Sequence, residues 1–426
     1  MKGQRAVKLN TLKTSTTKLD IGMFVSGLDR PWLDTPFATQ GFYIETTGDI
    51  DRLREYCEYV LVDIRRSRRG GSAPDRKAPP RPVQERKLNG RPRVSVERIF
   101  EGRPIKPYQD DSAWEDERPR AQEALNALIE DIDEIFEHVS DGGKLNVIKL
   151  KKSVEPIVDS ISRNPDACLW VARLKQHDEY TYQHSLGAAI WSVSLGRQLG
   201  LPRRDLRSLA MGCLLMDVGK LRVDPKLLQA DRELTLEEMA QVYSHVSYGL
   251  EIVQESGIIN QDVIDMVAYH HERYDGSGYP DGLKQDSIPS FARIAAIVDT
   301  YDAITSNRSY ADAVSPSDAI RLLYHSRDAD FQAELVEAFI QAVGIYPAGT
   351  LVELSSGEVG VVVAEYRSRR LRPKVMVLLD ADKNTLAESK MINLQDDSCG
   401  EGPLLLTIAK SLEPGAYGID LASVGL

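Results

Sequence analysis

A chain of 426 residues, 42% hydrophobic and 27% charged, is too long for one ordinary core and reads as two or three globular domains. Its net charge of −11 excludes a general nucleic-acid binder, and no apolar run is long enough to span a membrane. The N-terminus has no apolar signal core, and Cys57, Cys168, Cys213 and Cys399 lack metal-like spacing, so a cytoplasmic protein with free thiols is expected.

Residues 7–64 are expected to form a small α+β unit with a regulatory role. Ile21-Gly22-Met23-Phe24-Val25 and Tyr59 to Ile64 have the β-branched and aromatic content of strands, and Asp49 to Tyr56 reads as a helix capped by Asp49. Residues 65–114 are rich in Pro, Gly, Arg and Ser without periodicity, which predicts a linker. Between Arg65 and Lys106, 14 Lys and Arg stand against 4 Asp and Glu, leaving −21 on the rest of the chain. The run Arg65, Arg66, Arg68, Arg69 reads as a solvated tether; contact with anionic lipid or nucleic acid is the rival, separable by salt-dependent co-sedimentation.

Helical periodicity starts near Arg118, where Leu125, Leu128, Ile129, Ile132, Ile135, Phe136 and Val139 make one apolar stripe. The stripe suits equally a homodimer and packing onto the following domain. Residues 118–344 read as an all-α domain, with helices over Ser185–Leu199, Asp205–Val218, Leu236–Val253, Gln261–His271 and Phe291–Thr305. Ser315-Pro316 starts a further helix, and Phe331 to Val343 marks the last. Residues 345–410 switch to a period of two, with strands at Thr350–Leu354, Val359–Val363 and Lys374–Leu379 and a turn at Ser356-Gly357, a small β appendage.

Of the seven histidines, His138, His177 and His325 stand alone and read as structural. Elsewhere chemistry-bearing residues gather. His184 follows Tyr180-Thr181-Tyr182-Gln183, and Asp217 and Lys220 lie in Leu214-Leu215-Met216-Asp217-Val218-Gly219-Lys220. His245 lies in Ser244-His245-Val246, Asp299 and Asp302 in Val298-Asp299-Thr300-Tyr301-Asp302. His270-His271-Glu272 run into Asp275-Gly276-Ser277-Gly278-Tyr279-Pro280. A helix-end histidine pair can merely cap carbonyls, and Asp-Gly is turn-forming whatever its function. Neither reading accounts for the whole set.

From about Asp178 to Tyr310 this set resembles, in order and spacing, an HD-GYP domain, the helical metal-dependent phosphodiesterase family that cleaves cyclic di-GMP. Ile21 to Phe37 resembles the domain of unknown function that often precedes it. The resemblance implies two divalent ions, iron or manganese, with His184, Asp217 and Asp299 on the first and His245, His270, His271 and a bridging Asp217 on the second. It implies Asp217 and Lys220 as catalytic residues. Gly278, Tyr279 and Pro280 would wall the substrate, with Asp302 and Arg308 contacting guanine and phosphate. Its implied partners are cyclic di-GMP and proteins of second-messenger signalling.

Four positions depart from that pattern. Met216 replaces the histidine of the His-Asp pair, and a soft thioether is a poor ligand for iron or manganese. Ser309 stands for a usual Pro, Ala311 for a basic residue, and Tyr180 for a Glu that in some members supports a third metal. The expected function is hydrolysis of cyclic di-GMP to pGpG, GMP or both. The alternative is a weak or inactive domain acting as a cyclic di-GMP receptor or interaction scaffold; a third reading keeps hydrolysis with a related cyclic dinucleotide.

Overall fold

A computed structural model describes residues 11–28, 42–44, 47–63, 94–174, 180–230, 232, 234–306, 313–364, 371–395 and 406–419. The chain divides into two compact units, Met1–Pro92 and Arg93–Leu426.

In the first unit, strands β1 (Thr11–Ser15), β2 (Phe24–Leu28), β3 (Phe42–Tyr43) and β4 (Tyr59–Asp63) form an antiparallel sheet in the order β1-β4-β2-β3, with helix α1 (Thr47–Tyr56) before the last strand. Alternation along β4 buries Val60 and Val62 and exposes Leu61. These valines meet Ile50 and Leu53 of α1 in a core with Leu19, Val25 and Ile44. β2 starts at Phe24 rather than Ile21, because Gly22 turns the chain at φ 97°. α1 begins at Thr47, so Asp49 sits in its first turn and not at the cap.

The second unit is helical: α2 (Val96–Ile99), α3 (Trp114–Ser140), α4 (Val147–Arg163), α5 (Pro165–Leu174), α6 (Tyr180–Gln198), α7 (Arg203–Leu215), α8 (Pro225–Leu228), α9 (Leu236–Tyr243), α10 (His245–Glu255), α11 (Gln261–Tyr269), α12 (Ser290–Thr305), α13 (Pro316–His325) and α14 (Ala333–Val343). The expected linker contributes to it from Val94 onward. Phe100 is buried edge-on against Phe291, and Arg103 bridges Asp205 at 2.8 Å and Asp262 at 2.7 Å. These contacts override the Pro- and Arg-rich composition. The α3 stripe is buried in the core of its own unit with residues of α4 and α5, so it is not a free face for a second copy.

The segment expected as one helix over Leu236–Val253 breaks at Ser244. Ser244 Oγ donates to the Ala240 carbonyl and His245 Nδ1 bonds the Val242 carbonyl, so side chains take up acceptors at the break. His245 thereby begins a new helix instead of continuing α9.

Strands β5 (Leu351–Leu354), β6 (Val359–Ala364), β7 (Lys374–Leu379), β8 (Thr385–Asn393) and β9 (Ile408–Ser411) form an antiparallel sheet ordered β8-β7-β6-β5-β9. Leu351, Val359, Val361, Val363 and Met376 face the helical core, and Val352, Val362, Val375 and Val377 make a second core on the other face. The fold class expected from the sequence is therefore the observed one: a helical domain with an N-terminal α+β unit and a C-terminal β appendage. β8 and β9 were missed because β8 is mostly polar and exposed.

Candidate metal centre

Four helix ends and one helix interior converge on a buried point. α7 ends at Leu215, and the chain turns through Met216 and Asp217 into a short 3-10 helix, Val218–Arg222. Met216 enters the apolar core with no exposure, while Asp217 faces the opposite way. Gly219 fits because nothing larger can: a Cβ there would strike the His245 carbonyl and the Gly249 amide. That close approach brings the first residue of α10, His245, to 3.4 Å from Asp217 Oδ1.

The end of α11 supplies His270, whose Nε2 lies 3.7 Å from the same oxygen, and His271, whose Nε2 lies 3.2 Å from His245 Nε2. α6 supplies His184 and α12 supplies Asp299; the His184 Nε2 to Asp299 Oδ1 distance is 2.8 Å. His184 Nε2 is also 3.9 Å from Asp217 Oδ2. Two groups result, Asp217 with His245, His270 and His271, and Asp217 with His184 and Asp299, each with its donor atoms within 4.8 Å of one another.

The groups differ in how they are satisfied. Asp217 Oδ1 and His270 Nε2 are buried without a hydrogen-bond partner among the described residues. Leaving such a group unpaired costs about 1–3 kcal/mol, and both atoms belong to the imidazole-rich group. His270 Nδ1 is already bonded to the Met266 and Val267 carbonyls and His245 Nδ1 to the Val242 carbonyl, so both rings turn Nε2 inward. Orphaned acceptors aimed at a common point, behind rings oriented by backbone carbonyls, fit a divalent ion. In the other group His184 Nε2 bonds Asp299, and Lys220 Nζ donates to Asp217 Oδ2 at 2.6 Å.

Electrostatics follow this geometry. Burial raises the Asp217 carboxyl, but the Lys220 ammonium and the imidazoles of His270 and His245 outweigh it and hold it well below the usual carboxylate range. Burial pushes the His245 imidazole down to about 4 and the His271 imidazole well below its ordinary value, so both are neutral near pH 7, as metal ligation requires. Burial also lowers His184, yet its bonds to Asp299 and Asp302 lift it to about 9.

Asp302, expected to contact the nucleotide, is bonded in this structure to α6. It is three residues from Asp299 on the same face of α12, and its Oδ2 bonds His184 Nδ1 at 2.8 Å while Oδ1 accepts from Trp191 Nε1 at 3.0 Å. It is buried behind His184, in the position of a carboxylate that orients a ligating imidazole. A Cβ on Gly187 would run into this carboxylate. Trp191 and Gly187 were missed by sequence reasoning, although Trp191 sits seven residues from His184 on the same helix face.

Gly278, Tyr279 and Pro280 fold back over the cluster. A Cβ at Gly278 would meet the backbone of His271, Glu272 and Arg273, and Tyr279 stacks on His271 at 4.5 Å between centroids. Glu272, also missed, holds this loop: its buried carboxylate accepts the amides of Asp281 at 2.8 Å and Leu283 at 3.0 Å. Arg308, Ser309 and Ala311 lie outside the described residues, as does the side chain of Tyr180.

A buried histidine and aspartate cluster able to hold a metal, carried on helix ends, fits a metal-dependent hydrolase of the HD type. Residues 168–335 match the HD domain, residues 11–149 a domain of unknown function, and residues 351–414 a KOW domain associated with the HD domain. A cyclic di-GMP phosphodiesterase of Pseudomonas aeruginosa is 33% identical over 381 residues, 89% of this chain and 87% of that protein. A cyclic di-GMP phosphodiesterase response regulator of Xanthomonas campestris pv. campestris is 37% identical over 148 residues, 34% of this chain and 39% of that one. A 3'3'-cGAMP-specific phosphodiesterase of Vibrio cholerae is 33% identical over 162 residues, 38% of this chain and 31% of that one. The chain belongs to the HD-GYP family of metal-dependent cyclic-nucleotide phosphodiesterases, and the resemblance read from the sequence is borne out. No helix among the described residues is long and apolar enough to cross a membrane.

Proposed function

We propose that this protein hydrolyses cyclic di-GMP to linear pGpG and on to GMP. The observation carrying this reading is the pair of orphaned acceptors, Asp217 Oδ1 and His270 Nε2, inside the cluster. His245, His270, His271 and Asp217 would hold one divalent ion, and His184, Asp299 and the second oxygen of Asp217 another, iron or manganese by ligand type. Such ions, when bound, polarise the phosphate and acidify a water.

The protein's own groups do the rest. Lys220, bonded to Asp217 and partly open to solvent, offers its ammonium to the phosphate as charge grows on it. Asp302 holds the plane of His184 and the proton at its Nδ1. Gly278, Tyr279 and Pro280, tied down by Glu272, wall the pocket, and Arg308 is retained as a phosphate contact. Opening the ring joins the water oxygen to phosphorus and breaks the P–O3' bond, and the departing 3'-oxygen takes a proton. The 33% identity to a cyclic di-GMP phosphodiesterase over most of both chains supports this substrate. A cytoplasmic setting and protein partners in second-messenger signalling belong to the same proposal.

One observation favours a second reading, a weak enzyme or receptor. Met216 is fully buried in the apolar core, which leaves the His184 group three protein ligands already bonded among themselves and to Lys220. The deciding experiment is hydrolysis of cyclic di-GMP by protein purified without chelator, with iron and manganese added in turn and metal counted. Metal-dependent turnover is expected. Tight nucleotide binding without turnover would make the protein a receptor, and a preference for 3'3'-cGAMP would change the substrate.

A further inference from the structure

The His271 ring opens a column of aromatic planes that runs from the metal cluster to solvent. Tyr279 lies over it at 4.5 Å and 25°, and Tyr243 lies over Tyr279 at 4.1 Å and 23°. Aromatic pairs in the core of this unit meet edge-on instead: Phe100 and Phe291 at 83°, Trp191 and Tyr301 at 84°, Tyr301 and Phe339 at 70°. His271, Tyr279 and Tyr243 thus stack in parallel where these core pairs do not.

Tyr243 is the last residue of α9, a helix with no buried side chain. It remains 43% exposed, and Met239 at 38%, four residues back, and Leu236 at 61%, seven residues back, share its face. Folding therefore leaves an aromatic ring and an apolar flank in water next to the histidine and aspartate cluster. A nucleobase supplies the flat apolar partner that such a ring lacks, and stacking of this kind is a main contribution to nucleotide binding.

We propose that Tyr243 is a base-stacking residue that selects a dinucleotide over a mononucleotide. A bridging phosphate held at the cluster carries one nucleoside through its 5'-oxygen and another through its 3'-oxygen, so a cyclic dinucleotide presents a base on each side of it. 5'-GMP presents a base on one side alone, and the face of Tyr243 is assigned to the base on the 3' side. The inference rests on the phosphodiesterase reading above and adds a residue to its substrate site.

The test uses the full chain as purified with its metal, as wild type, Tyr243→Phe and Tyr243→Ala, with metal content measured in each. The probes are the hydrolysis-resistant bis-phosphorothioate of cyclic di-GMP, 5'-GMP and inorganic phosphate. Tyr243→Ala is expected to weaken the dinucleotide by roughly 10-fold or more, while Tyr243→Phe stays close to wild type. Affinities for 5'-GMP and phosphate are expected to be the same in all three proteins. An unchanged dinucleotide affinity in Tyr243→Ala overturns the proposal. Equal weakening of phosphate also overturns it, because Tyr243 would then act only by propping the Tyr279 loop. A wild type that binds no nucleotide overturns both this inference and the phosphodiesterase reading. A wild type that binds cyclic di-GMP without hydrolysing it sinks hydrolysis alone, and the Tyr243 comparison still decides the stacking role.

Discussion

The two oxygens of Asp217 face different surroundings, Oδ1 toward His245 and His270 and Oδ2 toward Lys220 and His184. A carboxylate placed this way can bridge two ions. Asp217→Ala is expected to lose more than about 100-fold in metal affinity, beyond the 10–100-fold typical of outer-shell partners, and to lose turnover with it. Metal analysis of the purified variant checks this, and wild-type metal content would rule out the bridge. The neighbouring Met216 poses the opposite question. Met216→His buries an imidazole in an apolar wall, so the metal-free variant is expected to melt below wild type by about 1–3 kcal/mol of stability. Metal is expected to reverse that loss and to raise activity when metal is limiting. Melting curves with and without manganese provide the readout; no recovery would mean that the side chain at 216 does not reach the ion.

At the scale of elements, the site depends on how closely backbones approach. The 3-10 helix carrying Gly219 crosses α10 at Gly249 with no room for a methyl group, and that crossing sets the distance from Asp217 to His245. The atoms in the way are backbone, which cannot rotate aside. Gly219→Ala is therefore expected to cost about 3 kcal/mol, the upper end for overpacking, and to lower metal content as α10 is pushed back. Urea denaturation and metal counting together check it: a stable variant with full metal would show that the crossing tolerates a Cβ. The break at Ser244 belongs to the same scale. It separates α9, which offers Tyr243 outward, from α10, which carries His245 inward.

At the scale of the whole molecule, the helical unit is held together partly by buried ion pairs far from the site. Glu117 of α3 is fully buried and accepts from Arg163 Nε at 2.8 Å and Nη2 at 2.7 Å, tying α3 to the end of α4. Burial opposes ionisation, but the Arg163 guanidinium and the Ser160 and Ser112 hydroxyls outweigh it and depress the carboxyl. A carboxyl depressed on folding contributes stability above its unfolded value, near pH 4, and that stability is lost as pH falls through the folded value. Glu117→Gln is expected to cost about 2–3 kcal/mol near pH 7, less than a fully buried pair because Arg163 is a third exposed. The gap from wild type should narrow in acid. Denaturation at pH 7 and at about pH 2.5, below the depressed value, tests this, and a gap independent of pH would mean that packing, not charge, carries the effect.

Sequence alone determined what local chemistry encodes. Helical periodicity, the β appendage, the residue types of the cluster and the family all follow from patterns carried by neighbouring residues, which is why they were legible. Where sequence reading went astray, long-range packing had decided. Phe100 and Arg103 are held in the helical unit against a linker-like composition by Phe291, Asp205 and Asp262, all more than 100 residues away. The α3 stripe suited two partners equally until tertiary contacts buried it within its own unit. Asp302 shares a helix face with Asp299, yet only the packing of α12 against α6 brings it to His184 and Trp191. The aromatic column from His271 to Tyr243 joins residues of separate elements, and periodicity along one segment carries no information about stacking between two.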